Sequence, residues 1–368
     1  MTKKHYNWAT LGTGVIANEL AQALQQQGRK LYSVANRTYD KGLAFAEKYG
    51  IDKVYQTIDE VFDDPNVDII YISTPHNTHI NFLRKALANG KHVLCEKSIT
   101  LNADELDEAI KLAEENHVIL AEAMTIFHMP IYRKLSEIIA TGKLGGLKLI
   151  QMNFGSYKEY DMTNRFFNRQ LAGGALLDIG VYALSFVRWF MTSTPTQIAS
   201  QVKLAPTGVD EQAGILLTNS QGEMATLTLS LHAKQPKRGT IAYDKGYIEL
   251  YEYPRGQKAV ITYTEDGHQE VIEAGSTALA LSYEVADMEN AVSGQENAMH
   301  LDYTKDVMDL MTSFRHYDKT PQRLEPHLPR RRMTTHKMSR EISPLLYFHP
   351  TDSPQSAIIS LKERVRRG

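Results

Sequence analysis

The residues whose types and spacing point most directly to chemistry stand near the N-terminus, as Gly12-Thr13-Gly14-Val15-Ile16-Ala17. A short apolar run precedes them and helical spacing follows, the context in which such glycines read as a dinucleotide-binding loop. Gly12 permits the tight turn, Gly14 lets the backbone approach a pyrophosphate, and Ala17 is small enough for close helix packing, while the helix N-terminus offers free amides to the anion. About 20 residues further on, an acidic residue would hold the ribose 2′-hydroxyl of NAD. Asn36, Arg37 and Thr38 stand there instead. No carboxylate repels a phosphate, and the guanidinium of Arg37 is a fork of donors suited to one. NADP is therefore the expected cofactor and NAD the alternative; a merely solvated Arg37 is the competing reading.

Three further groups carry candidate chemistry. Thr74, Pro75, His76, Asn77 and His79 follow a strand at its carboxyl end, where open α/β sheets bind ligands, so this turn is expected to line the cofactor crevice. His76 and His79 lack a third ligand at suitable spacing, and no metal site is expected. Glu96-Lys97 ends another strand and either puts a cation at the crevice or is a surface pair. Asp178 and Tyr182 are four apart, so on a helix they share a face, just after Gly173 and Gly174, which let a ligand come close. Hydride transfer from an alcohol needs a group to take the hydroxyl proton, and a phenol of pKa ~10 does so at neutral pH only beside a cation such as Lys97. The alternative makes Tyr182 a core aromatic with Leu177, Val181 and Phe186.

Positioning these residues requires an alternating scaffold. Strand-like runs at residues 6–11, 31–35, 67–73, 92–95 and 118–121 alternate with helical spacing at 16–27, 41–49, 78–89 and 102–116, the pattern of a parallel sheet wrapped by helices. Past Pro130 the pattern changes. A helix over 131–140 leads to strand-like runs at 147–154, 196–204, 213–218, 225–231, 239–243, 246–251 and 258–263. Helices near 282–292 and 304–316 are expected to close that sheet. The expected fold is thus an α/β Rossmann domain, doubly wound on a parallel sheet, over residues 1–123. An α+β substrate-binding domain with a large, mostly antiparallel, open-faced sheet follows over 124–319.

Bulk composition bounds the function. The 368 residues are 42% apolar, enough for two domains, and the net charge of −2 argues against a nucleic-acid partner. The single cysteine, Cys95, fits a reducing compartment, and with no signal-like N-terminus a cytoplasmic location is expected. No run approaches the ~18 apolar residues of a membrane helix, so no membrane association is expected. Residues 320–368 hold ten Lys/Arg against four Asp/Glu and six of the 13 prolines. This basic, proline-rich tail is expected to be a disordered appendage.

Taken together, the glycine loop, Ser73-Thr74-Pro75-His76-Asn77-Thr78-His79, Glu96-Lys97 and the block from Gly173 to Tyr182 resemble the Gfo/Idh/MocA oxidoreductases over about residues 5–318. The tyrosine closing the last block is most similar to the branch of dimeric dihydrodiol dehydrogenases, NADP-dependent xylose dehydrogenases and glucose-fructose oxidoreductase. The resemblance implies Lys97, Asp178 and Tyr182 at the reaction centre, with Tyr182 passing the proton and Lys97 assisting. It also implies a homodimer formed through the second sheet, and a sugar, polyol or small carbonyl/alcohol substrate. Non-catalytic cofactor sensors and NAD-dependent glycosidases of the same fold are the alternatives. Two departures matter. Relatives carry Glu-Lys-Pro, whereas Ser98 stands here in the proline's place, and a cis bond without proline costs ~2.5 to 4 kcal/mol, so Lys97 is expected to sit differently. Thr125 replaces the tryptophan that follows Glu-Ala-Met in the dihydrodiol branch, which disfavours a flat aromatic substrate.

Overall fold

The structure, a computed structural model, describes residues 5–317. The tail read as residues 320–368 lies outside the described residues. Six short strands, mostly apolar, form the first sheet: β1 (Trp8–Leu11), β2 (Ser33–Ala35), β3 (Lys53–Val54), β4 (Ile69–Ile72), β5 (His92–Glu96) and β6 (Leu120–Ala123). Between them run α1 (Val15–Gln26), α2 (Tyr39–Tyr49), α3 (Glu60–Asp63), α4 (His79–Ala88) and α5 (Ala103–Glu115). All strands are parallel in the order β3-β2-β1-β4-β5-β6. The order reverses between β1 and β4, and ligands of such sheets bind at that crevice, outside the strands' carboxyl ends. Every residue of β1 and β4 is buried, as expected of strands covered by helices on both faces. Helix α5 begins where the sequence signals a cap: the Asn102 side chain accepts from Glu105 N at 2.9 Å.

Proline at the first helical position starts α6 (Pro130–Ala140), which leads to β7 (Leu147–Gly155) and α7 (Val181–Phe190). The remaining strands are β8 (Pro195–Leu204), β9 (Asp210–Asn219), β10 (Met224–Ser230), β11 (Arg238–Tyr243), β12 (Gly246–Tyr251), β13 (Lys258–Tyr263) and β14 (Gln269–Glu273). They form an eight-stranded sheet ordered β14-β13-β12-β11-β7-β10-β9-β8, antiparallel except where β7 meets β10. Alternate residues such as Ile150, Met152, Leu217, Leu227, Ile241, Ile248 and Ile261 are buried in one core with α6 and α7. The opposite face is open, with Leu149, Leu216, Met224, Tyr251 and Val271 exposed on it. The stretch Arg169–Phe190 is long and apolar enough to cross a membrane by composition, but 67% of its apolar window is buried inside the fold, as in a core helix.

The closing helices correct the sequence reading. Helix α8 (Ala280–Val292) joins the antiparallel-sheet core only through its first turn, Ala280 and Leu281: Val285, Met288 and Ala291 share a core with Trp8, Leu20 and Leu24 of the parallel sheet and α1. Trp8 Nε1 donates to Glu289 Oε1 at 2.9 Å, and Arg29 pairs with the same carboxylate at 2.6 Å. Helix α9 (Leu301–Tyr317) splits its apolar face: Met308 packs with the parallel sheet, and Val307, Leu310 and Met311 pack with the other core. Apolar periodicity identified both helices but could not say which sheet each would cover.

Candidate active site

The glycine loop connects β1 to α1 and is pinned from both sides. Gly12 N donates to Ala35 O at 2.9 Å, and the Asn18 side chain donates to Gly14 O at 2.8 Å. Gly12 adopts φ +99°, and a Cβ there would stand 3.0 Å from both Ser73 O and Ser73 Oγ, so glycine is required. A Cβ on Gly14 would meet nothing within 4 Å. The N-terminus of α1 has no side-chain cap, Val15 beside it is 81% exposed, and Thr13 and Ile16 are half-buried. An uncapped helix end with an open backbone approach fits a pyrophosphate. At the end of β2, Thr13 Oγ1 lies 3.4 Å from Asn36 Oδ1, and Arg37 is exposed. Among the described residues no hydrogen bond or ion pair engages the Arg37 guanidinium. These residues fit a nicotinamide dinucleotide.

The turn after β4 carries Thr74, Pro75, His76 and Asn77 on the same crevice, but His79 does not line it. Its ring is fully buried, with Nε2 2.8 Å from Thr74 O and Nδ1 3.0 Å from Ser98 O. The cofactor-lining role read for His79 is corrected to a brace between the two strand-end turns, because the first turn of α4 points its ring inward. His76 is half-buried and its pKa is pushed down to about 3, by burial first and then by His79 and Lys97, so it is neutral at physiological pH. Asn77 Nδ2 reaches across to Gln170 O at 3.2 Å. No group of three or more metal-ligating side chains occurs among the described residues.

Lys97, Asp178 and Tyr182 converge. The Lys97–Ser98 peptide is cis, and Lys97 points into the site despite the absent proline. Its Nζ donates to Asp178 O at 2.8 Å, lies 3.5 Å from Asp178 Oδ1 and sits 4.8 Å from the centre of the Tyr182 ring. Ser98 Oγ donates to Leu177 O at 3.0 Å, so both residues of the turn clasp carbonyls of the widened helical turn Leu176–Gly180 that opens α7. That turn is anchored by Asp210 Oδ2, which accepts from Leu176 N at 2.5 Å. Gly174 permits the approach: it adopts φ +126°, and a Cβ there would come within 2.2 Å of Asp210 Oδ1. Gly174→Ala is therefore expected to destabilise the fold by more than ~1 kcal/mol, read as a lower denaturant midpoint. An unchanged midpoint would show that the turn adapts.

The electrostatics follow from burial opposed by neighbours. Burial raises the Tyr182 phenol and Lys97 lowers it; burial wins, and the pKa is pushed up to about 12. Burial disfavours the Lys97 cation, yet Tyr182, Asp178 and Glu96 together raise its pKa above the ordinary value. Asp178 is likewise disfavoured by burial, but Lys97 and Arg165 hold it below the usual carboxylate range. Lys97 thus favours phenolate as its charge predicts, without making Tyr182 one at neutral pH. Glu96 accepts from the Tyr71 hydroxyl, and burial raises its pKa. Behind it Glu284 on α8, which sequence reasoning missed, is pushed up to about 8 by burial and by Glu96. Thr125 is buried beside this carboxyl and lowers its pKa in part. A cavity of about 590 Å³ borders the turn that carries Asp178, lined by Gly173, Leu176 and Leu177 with Leu101, Val202 and Phe314.

Two family models match this chain. One, the oxidoreductase family with an NAD-binding Rossmann fold, covers residues 6–124, and the other, the GFO/IDH/MocA C-terminal domain, covers 132–249. Trans-1,2-dihydrobenzene-1,2-diol dehydrogenase of Xenopus tropicalis is 32% identical over 247 residues, 66% of this chain and 74% of that protein. Among solved structures, a 3-ketoreductase from Actinomadura kijaniata in complex with NADP and TDP-benzene superposes with a TM-score of 0.76 at 21% identity, covering 85% of this chain and 98% of that one. Aldose-aldose oxidoreductase from Caulobacter crescentus gives a TM-score of 0.76 at 21% identity, with 85% and 97% covered.

Proposed function

Because the chain belongs to the Gfo/Idh/MocA family, nicotinamide-dinucleotide-binding oxidoreductases acting on CH–OH groups, we propose that it transfers a hydride between NADP and a sugar, polyol or small carbonyl/alcohol substrate. The observation that carries the reading is Lys97 Nζ, held by Asp178 at 2.8 Å and set 4.8 Å from the Tyr182 ring. The nicotinamide, when bound, supplies hydride acceptance or donation. The chain supplies the proton. In carbonyl reduction Tyr182, protonated at neutral pH, gives its hydroxyl proton to the forming alkoxide. In alcohol oxidation the phenolate takes that proton, and Lys97 offsets its charge. Asp178 orients Lys97, and neutral His76 stands beside them as a hydrogen-bonding group for the substrate hydroxyls.

NADP preference rests on Arg37, exposed at the end of β2 with no acidic neighbour at Asn36 or Thr38. Arg37→Ala is expected to weaken NADPH binding by roughly 1.5 to 3 kcal/mol while leaving NADH affinity little changed, measured by titration of nucleotide fluorescence. Equal losses for both nucleotides would remove Arg37 from phosphate recognition. The open face of the eight-stranded sheet supports a homodimer, since Leu149, Leu216, Met224, Tyr251 and Val271 expose apolar surface on one side. Light scattering is expected to give twice the monomer mass, and Leu216→Glu to reduce it; a concentration-independent monomer would contradict the dimer.

A further inference from the structure

We propose that the substrate carries an anionic group, a carboxylate or a phosphate ester, held by Lys158 and Arg165 at the mouth of the Lys97–Tyr182 cleft. The proposal rests on the oxidoreductase reading of that cleft and names its substrate class. Arg165 Nη2 lies 3.7 Å from Asp178 Oδ1, beside the carboxylate that holds Lys97. Arg165 and Lys158 share the ring of Phe166, the guanidinium carbon 4.1 Å and the ammonium nitrogen 4.3 Å from its centre. On the other wall, Lys237 lies 5.4 Å from the centre of the Phe154 ring, which stands 6.0 Å from the Tyr182 ring. Four cations thus lie about a site in which Asp178 is in ion-pair reach of Lys97 and Arg165 and acts on Lys158 from farther off, with Glu96 beside Lys97. Glu252 lies 3.7 Å from Lys237 but is 74% exposed. No carboxylate among the described residues lies within salt-bridge distance of Lys158.

An excess of positive charge in a half-buried cleft costs free energy unless something neutralises it. Burial lowers the Lys158 pKa; Asp178 opposes that, and Arg165, Lys97 and Lys237 together add to the lowering. The cofactor's pyrophosphate belongs to the α1 terminus, and its 2′-phosphate to Arg37, so neither accounts for cations on the substrate side. A guanidinium and an ammonium held on one aromatic ring suit a planar carboxylate or a phosphate. The anion would anchor the far end of a sugar whose carbinol carbon faces Tyr182.

The test compares D-glucuronate and D-glucose 6-phosphate with D-glucose, using NADP and the full chain, in the parent and in the Lys158→Gln/Arg165→Gln double variant. The parent is expected to favour at least one anionic sugar by ~10- to 100-fold in kcat/KM, a preference that weakens with ionic strength and falls toward one in the double variant. The favoured anion distinguishes carboxylate from phosphate. A parent ratio near one, or a ratio that survives the double substitution, overturns the proposal while leaving the oxidoreductase reading intact. If no sugar is turned over, thermal melting of the NADP-saturated protein decides: stabilisation by an anionic sugar but not by glucose, lost in the double variant, supports the anion site. Equal shifts for charged and neutral sugars, or no shift, overturn it.

Discussion

Tyr182→Phe is expected to lower turnover by the ~10²- to 10⁴-fold typical of general acid-base catalysis, with cofactor affinity close to that of the parent. The substitution removes one hydroxyl and leaves the ring that packs near Phe154, 6.0 Å away. Loss of packing therefore cannot imitate the effect. Steady-state kinetics and nucleotide titration on the same preparations separate the two quantities. Parent-like turnover in the variant would assign the proton elsewhere, to Asp178 or His76 on the same face of the cleft.

Lys97→Met is expected to lose turnover to a similar extent and to shift the pH dependence. Lys97 opposes the burial that pushes Tyr182 up to about 12, so without it the phenol holds its proton to still higher pH. The oxidation direction requires phenolate, and its rate rises with pH; the rising limb should move to higher pH in the variant. The reduction direction requires the phenol and should lose rate without an alkaline advantage. The Lys97→Met/Tyr182→Phe double variant should lose little more than either single variant, because both residues serve one proton transfer. Full additivity would mean that they act in separate steps.

Much of the scaffold was legible because it is written in local periodicity. Fully buried strands such as Ile69–Ile72 read as apolar runs, and the glycine loop announces itself between a strand and a helix. Edge elements were missed: β3 is two half-buried residues, and β14 exposes four of its five. Neither has the length or the alternation that identifies a strand. The site was legible where its residues end strands or share a helical face, as Lys97, Asp178 and Tyr182 do. His79 was misassigned because spacing places a residue on a turn without saying which way its ring points. Lys158, Arg165 and Lys237 left no signal, since they lie outside helices and regular strands and meet only through the fold.

The most direct test of the central claim is absorbance at the reduced-nicotinamide band while the purified chain, with NADP or NADPH, is offered a panel of neutral and anionic sugars, polyols and small carbonyl compounds, with the Tyr182→Phe variant run alongside. Cofactor turnover by the parent, reduced by ~10²-fold or more in the variant, is the predicted result. No turnover of any compound by a parent that binds NADP would contradict it and point to a cofactor sensor of the same fold.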